Sequence, residues 1–82
     1  MRLDKYLKVS RLIKRRTIAN DACDNGLITV NGKVARASYD VKVGDKIVLR
    51  FGTRVLAVEV LDVQETVRAA DATSLYQEIL PE

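Results

Sequence analysis

The sequence lacks histidine and contains only one cysteine, one proline and four aromatic residues. Without histidine, the side chain most often used for general acid–base catalysis is missing. The lone cysteine, Cys23, cannot form an internal disulfide, and no CxxC pair or acidic cluster at ligand spacing offers a metal site. The sequence therefore argues against an enzymatic function, and we expect no catalytic residue, no metal and no cofactor.

Long apolar runs and glycine-rich phosphate loops are also missing. No apolar stretch approaches the roughly 20 residues that a membrane-spanning helix requires. The opening MRLDKYL carries an acid at Asp4 and has no apolar core of the kind found in secretory signals. Neither GxxxxGK[ST] nor GxGxxG occurs, and each of the four glycines lies in a predicted turn. We expect a cytoplasmic protein with no membrane association.

The charge that is present is distributed unevenly. Residues 1–16 hold seven basic residues and one acidic residue, a net charge of +6, whereas the other 66 residues hold seven basic and ten acidic residues, a net charge of −3. A positively charged end on an otherwise acidic chain attracts polyanions to one surface. This asymmetry favours nucleic acid as the partner.

Apolar spacing predicts two short helices near the N-terminus. Leu3, Tyr6 and Leu7 share one side of a helix over residues 3–9, with cationic side chains opposite. From Thr17 a second amphipathic stripe begins, and it ends at Asn25-Gly26, where glycine permits a left-handed stop. Its apolar residues are Ile18, Ala19, Ala22 and Cys23.

The rest of the chain has the composition of strands and turns. Strands are predicted over residues 27–30, 33–35, 46–51 and 54–63. Asn31-Gly32 is the favoured hairpin dipeptide, and Gly44-Asp45 and Gly52-Thr53 are further turns. Apolar residues at helical spacing from Ala70 to Leu80 predict a closing helix, against which one face of the last strand would pack. The predicted fold class is α+β: two short N-terminal helices packed on a small, mainly antiparallel sheet, with a short C-terminal helix.

Three cations lie where the second helix starts. Lys14, Arg15 and Arg16 are unfavourable there for stability, because a helix N-terminus already carries partial positive charge. Free N–H groups, the helix dipole and guanidinium groups at one place suit a phosphate group. Together with Arg11 and the lysines of the first helix, they predict a continuous basic surface.

Three segments of the chain resemble the RNA-binding domain named after small-subunit ribosomal protein S4, also called the alpha-L motif. They are RLDKYL, RRTIANDACDNGLITVNGKVA and SYDVKVGDKIVL. The combined spacing of Arg16, Gly26, Val30-Asn31-Gly32 and Val43-Gly44-Asp45 carries the resemblance over residues 2–50. The resemblance implies that the two helices dock on RNA, with a basic groove between them and the hairpin. We expect residues 1–51 to form this domain and residues 52–82 to complete it with a strand and a helix.

The opening MRLDKYLKVSRLIKRRTIA and the ending SLYQEIL closely resemble the RqcP family of small bacterial factors, relatives of a heat-shock protein that rescues dissociated large ribosomal subunits. The resemblance implies a role in ribosome-associated quality control on obstructed large subunits. Its implied partners are 23S rRNA, the peptidyl-position tRNA and an RqcH-like factor that adds alanine tails to stalled chains; we expect a monomer. The RNA-contacting residues implied by the resemblance are Arg2, Asp4 and Arg16, surrounded by Lys5, Lys8, Arg11, Lys14 and Arg15.

Two other functions are consistent with parts of the sequence. A small DNA-binding regulator also joins two short helices, but its recognition helix would present Asp21 and Asp24 to phosphates. Competition between duplex DNA and ribosomal RNA would separate these two functions. A protein-interaction module would use the apolar C-terminal segment, and co-sedimentation with ribosomes after nuclease treatment would distinguish it.

Overall fold

Two helices form one layer of the molecule. The computed structural model describes residues 1–65 and 67–80. Helix α1 spans Leu3–Val9 and helix α2 spans Arg16–Asp24, which confirms both predicted helices. Their buried side chains are three or four residues apart, so each helix has one apolar face. These buried apolar residues are Leu3, Tyr6 and Leu7 in α1, and Ala19, Ala22 and Cys23 in α2. Within the described residues, neither length nor apolar character would let any helix cross a membrane.

The second layer is an antiparallel sheet of five strands, in the order β2-β1-β3-β4-β5. The strands are β1 (Ile28–Val30), β2 (Lys33–Val34), β3 (Lys46–Phe51), β4 (Arg54–Val60) and β5 (Tyr76–Ile79). Alternate residues of the central strands pack against the helices, as a sheet with one buried face requires. The side chains on this inner face include Ile28, Val30, Ile47, Leu49, Val58 and Val60. Strand β4 ends at Val60 rather than at residue 63.

Hairpin β1–β2 has the turn that its sequence predicts. Asn31 and Gly32 have φ values of 53° and 85°, the left-handed region that both central residues of a type I′ turn need. The Asn31 carboxamide also bonds to the β3 end of the loop: its oxygen accepts the Lys46 amide and its nitrogen donates to Asp45, both at 3.0 Å. The two sequence motifs around Asn31 and Asp45 therefore join in space.

The predicted C-terminal helix over residues 70–80 is wrong. A 3₁₀ helix spans Ala69–Leu75, and the chain then continues as strand β5. Buried Ala72 and Leu75 are three residues apart, which is one turn of a 3₁₀ helix. After them β5 pairs along the edge of β4, from Ala57↔Ile79 to Val60↔Tyr76, so sheet pairing overrides the helical spacing of the apolar residues.

Tyr6 anchors this C-terminal segment to α1. Its side chain is fully buried, and its hydroxyl donates to the Leu75 carbonyl at 2.6 Å. Burial, with smaller contributions from Tyr76 and Asp62, raises the pKa of Tyr6 well above its usual value of 10.0. Tyr6 is therefore a core residue that holds the end of the chain in place, and its ring presents no surface for a base to stack on.

Candidate nucleic-acid interface

Helix α1 carries a strip of positive charge on its outer side. Because Leu3 and Leu7 point into the core, Lys5 and Lys8 lie towards solvent. Residues three apart on a helix are neighbours on its surface. Lys8 is exposed, whereas Lys5 is half-buried and makes an ion pair with Glu65. The two lysines therefore form one cationic strip, of which one member already has an acidic neighbour.

An open cleft of about 590 Å³ lies beside this strip. The cations around it come from α1, the inter-helix turn and the first residue of α2. These five cations are Lys5, Lys8, Arg11, Lys14 and Arg16, and the other lining residues are Val9, Glu65 and Val67. A cleft lined mainly by one sign of charge concentrates ions of the opposite sign.

A buried carboxylate joins the starts of the two helices. Asp4 is 2% exposed and accepts hydrogen bonds on both oxygens. Arg2 Nε donates at 3.2 Å and Arg16 Nη2 at 3.4 Å, both to Oδ1. The Lys5 amide donates to Oδ1 at 2.8 Å, and Asn20 Nδ2 donates to Oδ2 at 3.2 Å. Two guanidinium groups, one from the N-cap residue of α1 and one from the first residue of α2, are thereby held against one fixed anion.

The two arginines keep most of their donors for another partner. Their side chains are 51% (Arg2) and 48% (Arg16) exposed although both contact Asp4. Each guanidinium has five N–H donors in a planar fork, and each uses at most two of its nitrogens on Asp4. Among the described residues the remaining donors have no partner, and their geometry suits bidentate binding of a phosphate.

The protonation state of Asp4 follows from its contacts. Burial raises the pKa of Asp4, but hydrogen bonds from Arg2, Asn20, Arg16 and the Lys5 amide together hold that pKa below its usual value of 3.8. Asp4 is therefore ionised at neutral pH, and the group of Arg2, Asp4 and Arg16 has a net charge of +1. Its contacts hold the two guanidinium groups in place while the group stays cationic.

The turn between the helices contains a conformation that the sequence does not reveal. Arg11 has φ = 62°, in the left-handed region that glycine usually occupies after a helix. Its amide donates to the Lys8 carbonyl at 3.1 Å, which closes the end of α1. A left-handed side-chain-bearing residue costs about 1–2 kcal/mol. Here the residue that bears this cost is one of the cations lining the cleft.

Helix α2 begins at the predicted cationic position. Arg15 is its N-cap residue but makes no side-chain capping bond, and the first turn contains no acid. Among the described residues, the amides of Arg16, Thr17 and Ile18 have no hydrogen-bond acceptor. Arg15 is exposed beside these amides, although its side chain does not line the cleft. The helix start therefore combines unpaired N–H donors with positive charge, as its sequence predicts.

Sequence reasoning missed two polar residues at this surface. Asn20 donates to Asp4, and a signal for it existed, because Asn20 lies one helical turn beyond Arg16 and shares its side of α2. Glu65 pairs with Lys5 across 60 positions of sequence, which no local pattern reveals. The Lys5 ammonium group beside Glu65 lowers the pKa of that carboxyl below its usual 4.5. Glu65 is thus an anion within an otherwise basic cleft.

Metal ligands and the single thiol are the next groups to consider. No group of three metal-ligating side chains lies together within residues 1–65 and 67–80. Burial, followed by the charges of Asp4 and Asp24, raises the pKa of the Cys23 thiol to about 11. A thiol that stays protonated at neutral pH is a poor nucleophile and packs as a small apolar side chain.

A helix pair with a basic outer surface, packed on a small antiparallel sheet, defines a compact nucleic-acid-binding module. The S4 domain family model matches residues 1–47, more than half of the chain. Among solved structures, the trimeric structure of Vibrio cholerae Heat Shock Protein 15 superimposes with a TM-score of 0.89 at 32% identity, covering 96% of this chain and 81% of that one. The solution structure of the hypothetical protein HP1423 has a TM-score of 0.82 at 33% identity and covers both chains fully.

Similarity to curated proteins identifies a more specific family within this class of nucleic-acid-binding modules. The RQC P-site tRNA stabilizing factor of Halalkalibacterium halodurans is 58% identical over 77 residues, which cover 94% of this chain and 88% of that protein. The factors of the same name from Streptococcus pneumoniae and Bacillus subtilis are 51% and 50% identical, covering 94% and 93% of this chain and 88% of each relative. The chain therefore belongs to the S4 domain family and, within it, to the family of RQC P-site tRNA stabilizing factors.

Proposed function

We propose that this protein is an RNA-binding factor of ribosome-associated quality control. It binds the obstructed large ribosomal subunit, contacts 23S rRNA and the peptidyl-position tRNA, and assists an RqcH-like factor in adding alanine tails to stalled chains. The observation that carries the proposal is the pair of half-exposed guanidinium groups that buried Asp4 holds beside the five-cation cleft. The names of its relatives, which refer to a P-site tRNA, support the choice of RNA.

In this proposal the arginines bind RNA through fixed, directional hydrogen bonds, and the lysines through less directional charge attraction. The free sides of the Arg2 and Arg16 forks bind phosphate oxygens, while Lys5, Lys8 and Lys14 add attraction that tolerates small shifts of the backbone. With Tyr6 buried, the helical surface lacks the ring that could serve as a stacking platform on α1. The protein then reads the shape of folded RNA rather than its base sequence.

Arg16 borders two depressions of the surface. It lines the main cleft, and it also lines a smaller hollow together with Asp4, Thr17, Asn20 and Asp21. Arg2 and Arg15 lie outside the main cleft. We assign the cleft side of Arg16 to RNA, because Asp4 and Asp21 in the hollow would repel phosphates.

Three further properties belong to the same proposal. The protein acts in the cytoplasm, where ribosomes carry stalled chains. It binds as a monomer, although the solved relative from V. cholerae is described as trimeric. Residues 52–82 complete the domain that residues 1–51 begin, and the pairing of β4 with β3 and of β5 with β4 supports this.

Co-sedimentation with purified large subunits tests the proposal. We expect the protein to travel with subunits that carry a peptidyl-position tRNA more than with vacant subunits, and excess duplex DNA should not displace it. Arg16→Ala should weaken binding by roughly 10- to 150-fold, since a charge-assisted hydrogen bond contributes about 1.5–3 kcal/mol. Arg54→Ala, which removes the same charge from an exposed position on β4, is the matched control and should bind as wild type.

Two results would contradict the proposal. Equal losses for Arg16→Ala and Arg54→Ala would mean that net charge alone drives binding. Equal sedimentation with vacant and tRNA-carrying subunits would remove the tRNA contact. The RqcH-dependent part is tested separately, by adding the Arg16→Ala protein to a reconstituted alanine-tailing reaction, in which tails should become shorter than with Arg54→Ala.

A further inference from the structure

The face of the sheet turned away from the helices carries a mainly aliphatic row that crosses all five strands. Its members pair in register: Val34 with Thr29, Thr29 with Val48, Val48 with Ala57, and Ala57 with Ile79. They alternate along their strands with the residues of the inner core, so they point to the opposite side. Val34 is 66% exposed, and Thr29, Val48 and Ile79 are half-buried. We call these five residues the outer row.

A groove of about 510 Å³ follows the outer row from Thr29 to Ile79, and two cations border it. Lys46 and Arg50 lie on β3, two residues to either side of Val48, so their side chains flank the row on both sides. At about 3.3 Å per residue their backbone positions are roughly 13 Å apart. Among the described residues, no carboxylate oxygen lies within 4.0 Å of either cation. At the β5 end, Leu80 extends the apolar surface and is 88% exposed.

The chemistry of this face suits a protein rather than RNA. The outer row has four aliphatic side chains, one threonine and no aromatic ring, so it offers no platform on which bases could stack. An aliphatic strip with a polar and charged rim is the composition of a protein-binding surface. Among the described residues neither cation forms an ion pair, although Lys46 lies opposite Glu59 in the register of β3 and β4. These two cations, one on each side of the strip, specify where the partner's acids should lie.

The dimensions favour a helix as the occupant. Five strands spaced about 4.8 Å apart give a row of roughly 19 Å, which matches about 13 residues of α-helix at 1.5 Å per residue. The roughly 13 Å between the two cations exceeds only slightly the 10–12 Å diameter of a helix with its side chains. We propose that the outer row binds an amphipathic helix of a partner protein, with its apolar side on the row and acidic residues facing Lys46 and Arg50.

This surface is separate from the RNA site. The residues that line the groove include none of those that line the five-cation cleft. The helices and the sheet's inner face lie between the two surfaces. The protein could therefore hold RNA on its helical layer and a protein on its sheet layer at the same time, and loss of either contact would leave the other in place.

A synthetic peptide tests this proposal on the full chain. The probe is a 14-residue amphipathic helix with leucines on one side and glutamates on both flanks, and its counterpart has lysines in place of the glutamates. In NMR titrations of the isotope-labelled protein, the glutamate peptide should shift the amides of Thr29, Val48 and Ile79, and the lysine peptide should not. The double variant Lys46→Glu/Arg50→Glu should weaken this binding at least tenfold, whereas Lys8→Glu, on the helical layer, should leave the sheet shifts unchanged.

Three results would overturn the proposal. The first is equal binding of both peptides, which would make the contact non-specific. The second is a set of shifts confined to the basic cleft, which would make the glutamate peptide a mimic of RNA. The third is shifts of the outer row that appear on concentrating the protein alone, together with sedimentation of a larger species, which would make the occupant a second copy of this chain. Thermal melting of each variant verifies that the double variant is folded, so that lost binding reports on the surface.

Discussion

Asp4 and Asp45 are both buried carboxylates, yet they serve the two layers of the molecule differently. Asp4 receives guanidinium groups from Arg2 and Arg16, together with the neutral donors Asn20 and the Lys5 amide. Asp45 receives only neutral donors: Asn31 Nδ2 at 3.0 Å, the Tyr39 hydroxyl at 2.9 Å and the Lys42 amide at 2.9 Å. The charge of the donors is what separates the two sites.

A buried aspartate can therefore either close a fold or prepare a binding surface. The donors of Asp45 belong to turns and loops, and all three are consumed in joining the β1–β2 turn to the loop before β3. The cationic donors of Asp4 keep about half of their side-chain surface exposed. We therefore expect Asp45 to matter for stability and Asp4 to matter for both stability and binding.

Removing Asp45 should have the largest effect on stability. Asp45→Ala leaves three partly buried donors without their acceptor, and we expect the free energy of unfolding to fall by about 2 kcal/mol or more, because such groups cost about 1–3 kcal/mol when unsatisfied. The affinity of the folded protein for large subunits should stay within twofold of wild type. Urea unfolding of Asp45→Ala beside Asp21→Ala, which removes an exposed acid, measures the difference; an equal loss in both would refute the structural role.

Neutralising Asp4 tests the other half of the comparison. Asp4→Asn raises the net charge by one, so attraction between point charges alone predicts tighter RNA binding. We expect weaker binding instead, by roughly tenfold or about 1.4 kcal/mol, because the arginine forks lose their orienting anion. Filter binding to tRNA-carrying large subunits gives the sign directly. Tighter binding of Asp4→Asn would show that orientation contributes nothing.

Replacing Arg11, the left-handed residue of the inter-helix turn, should change stability and RNA binding in opposite directions. Arg11→Gly should raise the free energy of unfolding by up to about 1 kcal/mol, because glycine adopts φ = 62° without the clash that a side chain suffers. It also removes a cation from the cleft, so affinity for RNA should fall several-fold. Thermal melting and binding on the same sample give both values. Arg11→Lys, which retains the charge, should leave affinity nearly unchanged and gain no stability.

The smallest expected effect is a difference in acid stability. Because the folded pKa of Asp4 lies below its usual 3.8, its stabilisation is complete above that value and is lost as pH falls through the folded pKa. The stability gap between wild type and Asp4→Asn should therefore be constant between about pH 7 and pH 5 and narrow towards about pH 2. Thermal melting across this range measures the gap. A gap that narrows near neutral pH would point to another group.

Local sequence signals predicted much of the fold and where its charge gathers. Leu3, Tyr6 and Leu7 set the inner side of α1, and Asn31-Gly32 set the hairpin, because each signal acts within a few residues. The prediction of a closing helix was wrong because residues 76–79 have the spacing of a helix but pair as a strand. They pair with the edge of β4, which is distant in sequence and therefore invisible to a local pattern. The left-handed Arg11 has no glycine to reveal it, and the approach of Asn20 and Glu65 to the cations depends on packing between elements.

The salt dependence of binding tests most directly whether the cations of the helical layer form the RNA surface. If about five phosphates are contacted, the logarithm of affinity for tRNA-carrying large subunits should fall with the logarithm of salt concentration with a slope of several units. Arg16→Ala should reduce that slope by about one unit, whereas Arg54→Ala should not change it. A slope near zero for the wild-type protein, or equal reductions in both variants, would contradict this account.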